Sequence, residues 1–388
     1  MKVKNIRYNI NDPMTLSSNL FKISNQFLKY FSNHGFDIVE PFGLIPEHDK
    51  TVLFTSATIT TFRSLLNIKN CKKAVLQPCL RLQNLNKLGD LNCRLNYMSY
   101  FNMLGIIDTS TELIRTEEII IDFLINELQL LDRLVIHVKS DDIKLYSQII
   151  ERVNNKITCI YDDPSINFRW TYGGNDNLTG KGIPLCLENK NGSVEEFGQI
   201  VYLFRDHKLI GLEFGFGLET FASILYSYRN PFEIHPAWAV LNKHNNFILS
   251  CHKFDLMMIF CQLFLLGCKP GKGSYASIIR QVGRRLAALT IKEPPDEVVN
   301  DLLYLINSIS YKGSVDDFIS IWLDIRDRYY GCVKRWYDYK RNQYYLVKLG
   351  KIDSDKAHKN LIHYFKGLNL YGVDFYEDLN PLVLTNIG

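Results

Sequence analysis

The sequence predicts an α+β chain: a mainly antiparallel sheet flanked by helices, followed by an all-helical domain. Three observations carry this. Strand-like runs recur at Ala74–Leu82, Tyr97–Leu104, Arg133–Lys139, Lys156–Tyr161, Val194–Phe204 and Leu209–Phe214, with short connections and few β-α-β alternations, which disfavours a doubly wound sheet. From about Lys253 onward nearly every stretch has helical apolar spacing. The pattern changes around Tyr228–Pro236, so the expected domains are residues 1–240 and 241–388.

Taken in order, Thr15–Asn33 places Leu20, Ile23, Phe27, Leu28 and Phe31 on one helical stripe, and Gly35 closes it. FDIVEP then reads as a strand. Helices are expected at about Thr111–Leu131 and Asp142–Val153. In the second half the helices break at KPGKGS (Lys269–Ser274) and IKEPPD (Ile291–Asp296), where Pro and Gly cannot continue the pattern.

A length of 388 residues is enough for two or three domains with substantial cores. The formal charge of +4 permits nucleic-acid binding without arguing for it, since only a local basic face would do so. Nine cysteines lack any CxxC spacing, so neither a metal module nor a disulfide framework is expected. The opening MKVKNIRYNINDP lacks the apolar core of a signal peptide, and the most apolar run, Leu256–Gly267, is interrupted by Gln262 and too short to span a bilayer. A cytoplasmic protein with free thiols and no membrane contact is the expectation.

Two separated stretches carry the chemistry. QPCLR (Gln77–Arg81) is followed, after a polar loop, by YFNMLG (Tyr100–Gly105); LEFGFGLETFASIL (Leu212–Leu225) runs an apolar strand through glycines into an amphipathic helix. An arginine strand, a hairpin loop, a returning aromatic and a distant glycine-rich strand–helix are how an antiparallel-sheet nucleotide site is assembled. The guanidinium can donate two parallel hydrogen bonds to an anion, a flat apolar ring can lie under a base, and glycines let a ligand approach the backbone.

These stretches resemble motifs 2 and 3 of the class II aminoacyl-tRNA synthetases, specifically the alanyl enzyme. The resemblance spans most of the chain and is strongest over residues 24–110 and 195–290. It begins with FLKYFSNHGFDIV and GLIPEHDKTVLFTSATITTF, similar to that family's motif 1 region, with SATI where NAGM is usual and Lys50 in place of a proline. It implies that Arg81 grips the α-phosphate of ATP and the substrate carboxylate, that Lys87 in NKLGDL assists it, and that Phe101 lies under the adenine. The segment NFRWTYGGNDNLTGKGIPLCLEN implies Trp170 as a wall of the amino-acid pocket, followed by a glycine-rich turn at Thr179–Pro184. EEFGQIVYLF implies Gln199 and Val201 beside that pocket. The resemblance further implies that Gly215 admits the amino acid and Gly217 the nucleotide. ATP and Mg²⁺ are the implied cofactors.

Two positions depart from the family's VDTGMGLER. Glu213 stands where an aspartate binds the substrate ammonium, one methylene longer and so reaching about 1.5 Å further. Either the ammonium sits elsewhere or the substrate is not plain alanine. Thr220 stands where an arginine holds the γ-phosphate, a contact whose loss costs on the order of 10³-fold in rate. Arg229 is the nearest candidate substitute.

KPGKGSYASIIRQVGRRLAAL resembles the family segment that opens onto the tRNA acceptor stem. Ile278, Ile279, Val282, Leu286 and Leu289 form one stripe, with Arg280 and Arg284 opposite and Arg285 at the border. Lys269 and Lys272 precede the helix. The resemblance implies that Lys269, Lys272, Arg280 and Arg284 contact RNA phosphates; GKGS has no asparagine with which to read a base pair. YGVDF (Tyr371–Phe375) faintly resembles a second RNA-reading position, and Arg328–Lys348 interleaves aromatic and basic side chains, which suits either nucleic acid or helix packing.

Three functions follow from the resemblance. The first is alanyl-tRNA synthetase-like: a small amino acid (alanine or similar) and ATP form an adenylate, and the acyl group passes to a tRNA 3′ end or a small-molecule acceptor. The second is a tRNA-dependent aminoacyltransferase that draws on pre-charged tRNA and needs no ATP; Thr220 favours it. The third is a non-catalytic tRNA-binding paralogue. The acyl acceptor and the oligomeric state stay open.

Overall fold

The computed structural model describes residues 13–46, 51–83, 85–153, 157–172, 177–189, 192–243, 245–309, 314–368 and 370–372. They fall into two compact units: Met1–Leu82 with Leu95–Val240, and Gln83–Arg94 with Leu241–Gly388. The loop that follows Arg81, expected in the first domain, therefore groups with the second.

The first unit holds α1 (Pro13–Asn33), β1 (Asp37–Ile38), α2 (Thr58–Phe62), β2 (Lys72–Leu80), β3 (Tyr100–Asp108), α3 (Leu113–Asp122), β4 (Leu134–Val138), α4 (Ile143–Val153), β5 (Thr158–Tyr161), β6 (Arg169–Thr171), β7 (Leu178–Glu188), β8 (Val194–Arg205), β9 (Lys208–Gly217) and α5 (Leu218–Leu225). The sheet order is β1-β2-β3-β9-β8-β7-β4-β5, with β6 also on β7. Among the described residues, only the β1–β2 and β4–β5 pairs are parallel, so the sheet is mainly antiparallel, in keeping with its short connections.

Alternation along β9 separates the two faces. Phe214 and Phe216 are fully buried toward α1, where Phe27 lies 6.2 and 5.6 Å from their ring centroids. Burying each such ring contributes about 1.5–3 kcal/mol, which fixes the register, because a one-residue slip would turn both rings to the other face. Glu213, Gly215 and Gly217 consequently face the opposite way. That second face is covered by α2 and the turn after it: Ile59, Phe62 and Leu66 pack with Val75, Ile107, Val201 and Leu203.

Several expectations change. Thr179–Pro184 is not a turn but the middle of the eleven-residue strand β7. Gly180 and Gly182 read as turn formers, yet they alternate along one face and make room for side chains lying across it. FDIVEP contributes only the two residues of β1. The expected Thr111–Leu131 helix is α3 followed by a π-helical turn, Phe123–Glu127.

The second unit holds α7 (Phe247–Leu265), α8 (Ser274–Leu289), α9 (Pro295–Ser308), α10 (Val315–Lys348) and α11 (Ser354–Leu368), after the short α6 (Trp238–Leu241) at the division. The helix containing the apolar run is longer than that run suggested. α7 has 19 residues, enough by length and composition to cross a membrane, but 83% of its apolar window is buried inside the protein. Around it, Phe260 meets Trp322 of α10 at 5.9 Å. A Cβ on Gly283 of α8 would lie 2.8 Å from Ile325, so glycine permits the close approach of α8 and α10. Lys253, buried on α7, is paired by Glu293 at 2.5 Å and Asp301 at 3.1 Å. α10 buries Tyr329, Val333, Trp336 and Lys340, and Tyr339 stacks on Tyr364 of α11 at 4.0 Å; the packing role therefore accounts for one face of this aromatic and basic stretch. Within YGVDF, residues 373–375 lie outside the described residues.

Candidate active site

The site face of the sheet is built from directly opposed residues. Met103 faces Gly217, Gly105 faces Gly215 and Ile107 faces Glu213; Gln199 and Val201 of β8 face Gly215 and Glu213; Gly182 of β7 faces Val201. Cross-strand partners point the same way, so Phe101, Val201, Glu213, Gly215 and Gly217 share one surface. Trp170 joins them from β6: a Cβ on Gly182 would collide with its indole ring.

Arg81, just beyond β2, is half-buried. Its backbone N–H donates to Ser99 O at 2.8 Å, its Nη2 donates to Ser56 O at 2.8 Å, and its guanidinium carbon lies 5.1 Å from the centroid of the Phe101 ring. Burial lowers its pKa from the ordinary arginine value. Atoms of Phe101 and Thr220 (Cδ2 and Oγ1) each lie 3.6 Å from where a Cβ on Gly217 would stand. Arginine, aromatic ring, bare glycine backbone and the Thr220 hydroxyl thus form one patch.

Glu213 is 6% exposed. Its carboxylate accepts the hydroxyl of Thr58 and the backbone N–H of Ile59, yet burial outweighs both and pushes its pKa up to about 7. Tyr172, half-buried beside Trp170, brings its hydroxyl to 3.2 Å from where a Cβ on Gly180 would be. Burial first, then the charge of Glu213, push its phenol up. Sequence reasoning missed both Thr58 and Tyr172. The departure of SATI from NAGM was the only signal for Thr58.

Of the remaining expected residues, Arg229 is already paired, and Lys87, Lys269, Lys272, Arg280 and Arg284 belong to the second unit. Arg229 is exposed, and its guanidinium donates to Glu233 through Nε at 2.9 Å and Nη2 at 2.5 Å. Lys87 is exposed at the end of a short 3₁₀ turn in the second unit. Lys269 and Lys272 are exposed ahead of α8. Arg280 donates to Gly271 O, and Arg284 to Leu368 O at 2.5 Å. All nine cysteines are free thiols, and the described residues include no metal-binding group of three or more His, Cys, Asp or Glu.

Residues 22–177 match the family model of class II (A) tRNA synthetases. The chain is similar to the alanine–tRNA ligase of Wolbachia pipientis wMel, with 25% identity over 69% of this chain and 34% of that protein. It is also similar to the alanine–tRNA ligase of Ehrlichia chaffeensis, with 26% identity over 70% of this chain and 34% of that protein. The matches thus span about a third of the length of these curated relatives. The solved Entamoeba histolytica asparaginyl-tRNA synthetase, in complex with asparaginyl-adenylate, is 11% identical, with a TM-score of 0.37, over 58% of this chain and 66% of that one.

Proposed function

We propose that this chain, a divergent relative of the alanyl class II tRNA synthetases, moves a small acyl group at the adenosine end of a tRNA rather than activating an amino acid with ATP. The observation that most supports this is Thr220, whose hydroxyl lies beside Gly217 and Phe101 where a polyphosphate would need a cation. Arg229 does not fill the gap freely, because Glu233 engages its guanidinium.

In this reading Phe101 stacks under the terminal adenine and the Gly215–Gly217 backbone lets the ribose approach. Arg81 supplies positive charge beside the ester carbonyl. An amine or hydroxyl acceptor attacks that carbonyl, the bond to the ribose oxygen breaks, and the proton lost by the acceptor ends on the ribose hydroxyl. Positioning and charge stabilisation do the work. Lys269, Lys272, Arg280 and Arg284 are the proposed phosphate contacts for the acceptor stem.

ATP suits the adenine and α-phosphate end of this patch through Phe101 and Arg81, but not the γ-phosphate end. Mg²⁺ suits it poorly. The buried carboxylates of Glu213 and Glu219 already accept protein donors, Thr58 and Ile59 for the first and Asn102 for the second, whereas a hard cation seeks free carboxylate oxygens. The retained pairing of Arg81 with Phe101 favours a second reading, ATP-dependent adenylate formation. The test is to compare amino-acid-dependent exchange of labelled pyrophosphate into ATP with release of the acyl group, in the presence of an acceptor amine, from tRNA charged either with alanine or with its α-hydroxy analogue. Release without exchange supports transfer, exchange supports a synthetase, and neither leaves a tRNA-binding paralogue.

A further inference from the structure

Thr58, on α2, lies over the face of β3 and β9 that carries the buried carboxylate of Glu213. Its hydroxyl donates to Glu213 Oε1. Its methyl side lies on Gly105, where any Cβ would collide with Thr58 Cγ2, and its Oγ1 lies 3.2 Å from where a Cβ on Gly215 would be. Met103 Cε closes the same space, 3.3 Å from that point. Thr58 itself is fully buried. A β-branched side chain has few χ1 choices, and this one fills volume left open by two opposed glycines, so it cannot swing aside without losing that fit.

We propose that Thr58 is the specificity-determining residue of the acyl pocket: it holds the place on Glu213 that an α-ammonium group would need, so the pocket selects acyl groups with a neutral α-substituent, such as a hydroxyl, over free α-amines. This rests on the acyl-transfer reading above. A cationic amine entering here would have to displace the threonine hydroxyl and find an ionised partner, and burial works against that partner's charge. A neutral α-hydroxyl makes no such demand. It can rest against Thr58, Tyr172 and the indole of Trp170 while its carbonyl points toward Arg81.

The test is calorimetric titration of the full chain with three adenosine probes: 5′-sulfamoyl-adenosine alone, its alanyl derivative and its lactyl derivative. The wild type is expected to bind the lactyl probe about tenfold or more tighter than the alanyl one, the range typical of one poorly met pocket contact. Thr58→Gly is expected to reverse that ratio. Thr58→Ser keeps the hydroxyl but frees it to rotate, and should fall between; it serves if the glycine variant does not fold. Preference for the alanyl probe by the wild type, or a ratio unchanged in both variants, overturns the proposal while binding of sulfamoyl-adenosine leaves the acyl-transfer reading standing. Failure of all three probes to bind overturns both.

Discussion

Glu219 holds Asn102 at two points: its carboxylate accepts the Asn102 backbone N–H at 2.9 Å and the Asn102 side-chain amide at 2.7 Å. This ties the first turn of α5 to β3, one residue from Phe101, so the helix after the glycines fixes the strand that carries the aromatic. Burial nevertheless raises the Glu219 pKa to about 7, against the pull of those donors. A carboxyl raised above its unfolded value binds a proton more tightly in the folded state. Its stabilising contribution is therefore full below about pH 4.5 and is lost as pH rises toward about 7. In urea melts, wild type is expected to lose on the order of 2–3 kcal/mol relative to Glu219→Gln between pH 5 and 8. The comparison is made with the variant because His235, lowered to about 4 by burial, gains stability with pH between about 4 and 6.5 and would mask the absolute slope. A pH-independent difference would show that Glu219 is not protonated in the fold.

Arg81→Ala is expected to abolish acyl transfer and weaken adenosine binding while leaving the fold intact. The guanidinium is half-buried against Phe101 and makes one backbone contact, to Ser56 O. A charge facing a developing oxyanion is typically worth about 2–4 kcal/mol, so residual transfer above about one tenth of wild type, with unchanged circular dichroism, would remove Arg81 from the reaction.

His252 of α7 grips the Gln83–Arg94 loop from within its own unit. Its Nδ1 accepts the Gly89 N–H at 3.1 Å, so the ring proton sits on Nε2 and is donated to Cys93 O at 2.7 Å. Burial lowers its pKa. A histidine lowered in the fold stabilises fully above the ordinary value of about 6.5 and loses that contribution as pH falls through its folded value. The protection factor of the Gly89 amide, taken against its intrinsic exchange rate at each pH, should fall as acid protonates the ring, and His252→Gln should lower it at every pH. Equal protection factors in the wild type and His252→Gln at pH 8, where the ring is neutral, would mean that the ring does not hold the loop.

The strand–glycine–helix order was legible because alternation is a local signal: Phe214 and Phe216 against Gly215 and Gly217 can be read directly from the chain. The helical half was legible for the same reason. β7 was not, because its glycines serve neighbours far away in sequence, and Gly182 has no local feature announcing that Trp170 will lie on it. Thr58 was hidden more deeply. Its meaning depends on Gly105, Gly215 and Glu213 arriving together from two strands, β3 and β9, and only the folded sheet brings them under α2. Residue type could not announce a further feature: Arg280 and Arg284 occur at the spacing of a basic face, and each also donates to a backbone carbonyl in the fold.

Those carbonyls separate two kinds of basic residue. Replacing Lys269 and Lys272 by Ala should weaken tRNA binding and lower the slope of log affinity against log salt by about 0.7–0.9 per phosphate contact, with little change in thermal stability. Replacing Arg280 and Arg284 should lower both the slope and the melting temperature, since Arg284 also ties α8 to the end of α11. An unchanged slope in both pairs would leave the second unit as scaffold.

Thr220→Arg separates the two enzymatic readings most directly. The hydroxyl of Thr220 sits beside Gly217 and Phe101, so on the proposed reading an arginine there supplies the cation a polyphosphate would meet, a role Arg229 does not serve while Glu233 engages it. If the protein transfers acyl groups from charged tRNA, wild type should show no pyrophosphate exchange, and Thr220→Arg should raise ATP affinity without harming transfer, because the added guanidinium meets only an anion the natural donor lacks. Each phosphate contact restored should strengthen ATP binding by about 1.5–3 kcal/mol, the usual range for a hydrogen bond to a charged group. Robust exchange by the wild type would instead show that the γ-phosphate is already held, and the Glu233→Gln variant would then identify the holder. If releasing the Arg229 guanidinium from its carboxylate raises exchange further, Arg229 is the clamp; if exchange is unmoved, the clamp lies elsewhere and acyl transfer without ATP is ruled out.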